Sequence, residues 1–260
     1  MFQIIETPLG SLDLYDLLTV LGAVLSVLVQ MILLYRWTGK WRSILFSALY
    51  GLYSWAGGYG SSIVRILSYD DGGKTDGFWK SVAGDYGKHY LGTVLVIAIL
   101  ALPATVILYR LMFRKEKECN QYIRYVTNAL AVGILIQHIC GRFGCFVRGC
   151  CFGIPYQGFL SVTFPYGQVS YPVFPTQLFE IVCTILLLLF ISILIVKKKS
   201  VFGTTLIGFS VIVFLSEFLM DKRGTRLFYN VTVIQWFAIL LCLFGIVLAI
   251  WFQRMKKIEE

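Results

Sequence analysis

Residues 126–153 read VTNALAVGILIQHICGRFGCFVRGCCFG, and the fold turns on how this stretch is understood. Residues 126–146 are an apolar run of the length a bilayer demands of an α-helix, about 20 residues. Residues 141–153 then bring two arginines, three cysteines and four glycines. An arginine at membrane depth is expensive and faces a bundle interior or a wet cavity rather than lipid. The stretch therefore predicts a membrane helix ending in a polar, glycine-rich rim, with Arg142 directly on the helix and Arg148 beyond it.

The rest of the chain points to lipid as its solvent. Hydrophobic residues make up 58% of the 260 residues and charged residues 14%, more apolar surface than a soluble domain of this size can hide. The formal net charge of +9 fits loops against anionic lipid better than nucleic acid, because no basic face is long enough to follow a phosphate backbone. Seven cysteines in such a chain do not read as a small secreted disulfide scaffold. The N-terminus lacks the basic stretch and small-residue cleavage site of a secretory signal, so the first apolar run is expected to remain in the mature protein.

Seven candidate spans lie near 13–35, 43–66, 90–112, 126–146, 176–196, 202–220 and 231–253. They predict an all-α polytopic bundle of about seven transmembrane helices, a single integral membrane domain over 1–260 with no internal repeat. The second span, with SALYGLYSWAGGYGSS, suits a helix packed against others or lining a cavity rather than one facing lipid. Charge orients the bundle. Arg36, Lys40 and Arg42 follow the first span, RKEKE follows the third, Lys197, Lys198 and Lys199 follow the fifth, and Arg254, Lys256 and Lys257 end the chain. Alternate loops are mixed or poor in positive charge, apart from Lys222, Arg223 and Arg226 after the sixth span. Basic loops stay cytoplasmic, which places the N-terminus outside and the C-terminus inside.

In that orientation polar residues gather at the outer leaflet: Arg142, Arg148, Gln177 and Glu180 about one turn into PTQLFE, Glu217 at the end of the sixth span, Lys88 and His89 at the start of the third, and Tyr15 in the first. An arginine and two glutamates from separate helices predict a polar functional cavity, with a structural ion-pair network as the plainer reading. Glycine amides beside a guanidinium could cradle an anion, and lipid headgroups offer phosphate at that depth. Gln137 and His138 within the fourth span are expected to be satisfied by neighbouring helices.

At these residues the chain resembles the prolipoprotein diacylglyceryl transferase family, whose fourth span is followed by G-R-x-G-N-F-x-x-G-E-x-x-G. Gly141, Arg142, Gly144, Phe146, Gly149 and Gly153 match. F-P-T-Q-L-F-E at 174–180, V-F-L-S-E-F at 213–218, V-I-Q-W-F at 233–237, LYDLLTVLGAVLSVL in the first span and the glycines near 57–60 are similar to further family segments. Four positions depart: the family Asn is Cys145, its Glu is Cys150, its His before Pro is Phe174 and its late Arg is Val213. The family's essential His corresponds to His89 by residue type, or to Leu91 if Gly92 sets the alignment.

The resemblance implies a multi-pass enzyme of the bacterial cell membrane, with its active site facing the outer leaflet. It would move diacylglyceryl from phosphatidylglycerol to the lipobox cysteine of a preprolipoprotein, without cofactor or metal. Arg142 would hold the phosphate, His89 would take the thiol proton, and Glu217 and Glu180 would orient Arg142 or line the substrate path. Tyr15, Gly141, Gly144, Cys145, Gly149, Gly153 and Gln177 would contact substrate. Expected partners are phosphatidylglycerol, other phospholipids and preprolipoproteins, and no nucleic acid. The alternatives are a different lipid donor or acceptor, or a non-catalytic lipid-binding or transport protein of the same fold. The cysteine spacing C-x4-C-x4-C-C from Cys140 to Cys151 does not match a zinc site of paired C-x-x-C units. It leaves packed thiols, a disulfide from Cys145 to Cys150 or Cys151, or a nucleophilic cysteine.

Overall fold

The computed structural model describes residues 4–7, 10–44, 107, 111, 119–164, 169–221 and 231–259. A short antiparallel hairpin of β1 (Ile4–Thr7) and β2 (Gly10–Asp13) precedes the bundle, with Ile5 opposite Leu12. Then come α1 (Leu14–Thr38), a 3-10 turn (Trp41–Ile44), α2 (Cys119–Arg148), α3 (Thr176–Val196), α4 (Phe202–Leu219) and α5 (Val233–Glu259). The five long helices are each apolar and long enough to cross a membrane. They coincide with the first, fourth, fifth, sixth and seventh candidate spans. The candidate spans at 43–66 and 90–112 lie almost wholly outside the described residues. The bundle is all helical; among the described residues the departures from the all-α expectation are the N-terminal hairpin and three isolated antiparallel bridges, Gly153–Met220, Pro155–Val173 and Val162–Val173.

Between membrane helices, close backbone approach replaces the hydrophobic drive that packs helices in water. The antiparallel seam of α1 and α2 shows this. A Cβ on Gly22 would come 2.6 Å from Cβ of Cys140, one on Gly133 would collide with Gln30, and one on Gly144 would come 3.0 Å from the Tyr15 ring. Ser26 Oγ donates to the Gly133 carbonyl at 2.9 Å. On α4 and α5, Gly203 and Gly245 lie against each other's backbone. The outward faces remain apolar: Val20, Ile32, Val182, Leu186, Ile193 and Val247 are exposed. Exposed leucine, isoleucine and valine along span-length helices are surfaces for lipid, and the chain is a multi-pass membrane protein.

The two ends of the bundle differ in charge. At one end, Lys40 sits 4.8 Å over the Tyr122 ring and Trp37 packs 5.6 Å from Tyr125. Asn128 closes the turn between α3 and α4 there, donating from Nδ2 to the Lys199 carbonyl and accepting the Val201 N–H at Oδ1, both at 2.9 Å. Arg36, Lys40 and Lys197 to Lys199 therefore share this end. The other end is the rim. It gathers the start of α1, the end of α2, the 149–175 loop, the start of α3, the end of α4 and the start of α5. Gly153 N–H donates to the Phe174 carbonyl at 2.8 Å, and Ile154 N–H to that of Leu219 at 2.9 Å. At the start of α5, Thr232 and Gln235 form a reciprocal capping box, Thr232 N–H to Oε1 at 3.0 Å and Gln235 N–H to Oγ1 at 3.2 Å. That box explains the glutamine that opens the last span.

Candidate functional site

His138 and Arg142 are four residues apart on α2, so both face α3. There Glu180, fully buried one turn into the helix, meets both: Arg142 Nε lies 2.5 Å from Glu180 Oε2, and His138 Nε2 lies 3.3 Å from the same oxygen. The His138 ring stands edge-on to Phe209 at 4.8 Å, which fixes its plane. A buried carboxylate is tolerable only with a partner of opposite charge and good geometry. Glu180 has its partner in Arg142, whose side chain is 13% exposed. The guanidinium meets Glu180 through Nε. Beside it, a Cβ on Gly141 would meet nothing within 4 Å. The arrangement is a guanidinium held at the rim by a buried carboxylate.

The expected convergence is thus half present. Glu180 joins Arg142. Glu217 is buried on α4, 2% exposed, and does not enter that ion pair. His138 was expected only to be satisfied by a neighbouring helix, yet it belongs to the same carboxylate as Arg142. The i, i+4 spacing from Arg142 was the signal for it. Lys88, His89, Lys222, Arg223 and Arg226 lie outside the described residues.

The glycines do not form an amide cradle. Gly149, at φ 68°, ends α2 and donates to the Phe146 carbonyl at 3.2 Å, and the Gly153 N–H is held by Phe174. A Cβ on Gly153 would come within 2.7 Å of the Leu219 and Phe174 carbonyl oxygens, so this glycine permits a backbone crossing. Arg148 lies 4.8 Å over the Tyr15 ring, a cation–π contact that joins α2 to α1. Gln177 is fully buried, and its Nε2 donates to the Cys150 carbonyl at 2.6 Å, which ties the loop to α3. Its Oε1 accepts no hydrogen bond among the described residues. Val213 is buried on α4, and Phe174 packs edge-on to Tyr156 at 5.7 Å.

The thiols of Cys145, Cys150 and Cys151 lie within 4.8 Å of one another, and none of the three is in a disulfide among the described residues. Cys145 hydrogen-bonds to Cys150 and lowers its pKa. Contact with Cys151 and burial outweigh that and push the Cys150 thiol up to about 11. At neutral pH it is protonated and a poor nucleophile.

The family model for prolipoprotein diacylglyceryl transferase matches residues 3–251. The chain belongs to this family. The segments at 141–153, 174–180, 213–218 and 233–237 all fall inside the match, and in the fold all four meet at the rim. Membership makes the chain a membrane transferase of lipoprotein biosynthesis at the level of the family. A search of curated proteins finds no match.

Proposed function

We propose that this prolipoprotein diacylglyceryl transferase uses phosphatidylglycerol as donor and the lipobox cysteine of a preprolipoprotein as acceptor. It is a single membrane domain of about seven spans in a bacterial cell membrane, with N-terminus outside, C-terminus inside and the rim at the outer leaflet. The observation that carries the reading is the ion pair of Arg142 with buried Glu180 at the end of the bundle opposite Lys197 to Lys199. The separation of that rim from the basic end supports the orientation.

The acceptor thiol loses its proton to a base, and its sulfur attacks a glycerol carbon of the lipid. A C–S bond forms, the C–O bond to phosphate breaks, and glycerol phosphate leaves with the electron pair. As negative charge builds on the phosphate, Nη1 and Nη2 of Arg142 stabilise it bidentately. Glu180 fixes the guanidinium plane and His138 holds the carboxylate, so both are positioning residues. His89 is the proposed base. Glu217, Tyr15, Gly141, Gly144 and Gln177 line the substrate path.

The test is the mass of a lipobox peptide incubated with the protein in vesicles with and without phosphatidylglycerol. The reading expects one diacylglyceryl added per peptide only when that lipid is present. Addition from another phospholipid instead would favour a different donor. That second reading has its own support: Val213 is buried where the family has an arginine, and Cys145 and Cys150 stand where it has Asn and Glu. Solute flux without a covalent product would favour a transporter.

A further inference from the structure

The mechanism above uses none of the cysteines at the rim, although three of them converge there. We propose that Cys145, Cys150 and Cys151 form a binding site for one thiophilic d10 cation, Cu(I) or Zn(II), on the loop that follows α2. The proposal rests on the thiols and stands apart from the transfer reading.

The three Sγ atoms lie within 4.8 Å of one another. Thiolates about 2.3 Å from a shared ion would stand about 4 Å apart, so the cluster need contract by less than about 1 Å. The backbone makes this possible. Adjacent cysteines in an extended chain point to opposite sides. Here Gly149 at φ 68° and Cys151 at φ 57° curl the chain back, and both neighbouring thiols meet Cys145 on the last turn of α2. A cysteine in the left-handed region is uncommon. Two hydrogen bonds hold the curl: Cys150 N–H to the Cys145 carbonyl at 3.1 Å and Gln177 Nε2 to the Cys150 carbonyl at 2.6 Å. The ligands are preorganised by α2 and α3 rather than gathered by the ion.

Soft thiolates select Cu(I) and Zn(II) over hard cations. Among the described residues no His, Asp, Glu or further Cys joins the group. Three sulfurs alone suit trigonal Cu(I), while Zn(II) would take water as its fourth ligand. Binding forms three S–metal bonds and releases three protons to solvent, with no change of oxidation state. The excess negative charge is offset by Arg142, in coulombic range of Cys145, and by Arg148, in range of Cys150. The cysteine spacing argued against a paired C-x-x-C zinc site, and the structure assembles a three-ligand one by a route that spacing does not encode.

The test uses the full chain purified in detergent under anaerobic, reducing conditions. It is titrated with Cu(I) as its acetonitrile complex against a Cu(I) chelator, and separately with Zn(II) against a chromogenic zinc chelator. One equivalent of either ion is expected to stay on the protein, and which arm retains it names the ion. Cys145→Ser, Cys150→Ser and Cys151→Ser should each weaken retention by at least about tenfold. Cys183→Ser and Cys242→Ser should leave it unchanged. A readout on the unaltered chain guards against misfolded variants: the bound ion should protect those three cysteines, and not Cys183, from alkylation as read by mass spectrometry. No retention of either ion, retention indifferent to all three serine variants, or a disulfide within the trio trapped by alkylation of intact membranes would overturn the site.

Discussion

From Val126 to Leu135, α2 is wholly buried and mostly apolar, and its Asn128, which reaches the turn between α3 and α4, is matched at both ends of its amide. From Gln137 to Arg148 the same helix is only partly buried, and its His138 and Arg142 turn to a polar face of α3. Arg142 meets Glu180 of α3 through Nε, and Gln177 Oε1, also on α3, accepts nothing among the described residues. Buried polar groups in a folded protein are nearly always hydrogen-bonded, so leftover capacity marks where a ligand completes the set. One end of α2 is closed to hold the fold, and the other is where the proposed headgroup would sit.

The sharpest way to break that contrast is to remove the carboxylate at the open end. Glu180→Ala leaves Arg142 buried without its counter-charge. Stability, measured by denaturant unfolding in detergent, should fall by about 3–5 kcal/mol. An unchanged unfolding midpoint would mean that the guanidinium escapes to solvent and is not held. At the closed end, Asn128→Ala orphans the Lys199 carbonyl and the Val201 N–H. It should lower stability by about 1–3 kcal/mol and leave diacylglyceryl transfer per folded molecule unchanged. A selective loss of transfer there would erase the distinction between the ends. The smallest effect concerns Cys150. Because its thiol titrates near pH 11, its alkylation rate should keep climbing above pH 10 instead of levelling near the ordinary cysteine range. A plateau by pH 9 would show that the thiol cluster is looser than described.

Much of the fold was legible because lipid imposes a simple rule: span-length apolar runs become helices, and the five described ones lie where the sequence puts them. Arg142 and Glu180 were legible for the same reason, since ionisable residues in apolar helices stand out. His138 was underread. Its meaning depends on sharing a face with Arg142 and on a partner on the next helix. Asn128 was invisible, because its partners lie 71 and 73 residues away. The amide cradle expected of the glycines gave way to hydrogen bonds within the loop, and Glu217 turned out not to pair with Arg142. The thiol cluster depends on two left-handed backbone positions, one of them at a cysteine, which no spacing rule announces.

The central claim is that Arg142, anchored by Glu180, grips the phosphate of the lipid donor. It is tested most directly by the rate at which Arg142→Ala adds diacylglyceryl to a lipobox peptide in phosphatidylglycerol vesicles, normalised to folded protein. The account predicts a loss of about 10²–10³-fold relative to the unaltered chain, as for removal of a donor that stabilises developing charge. Transfer at the unaltered rate would contradict it.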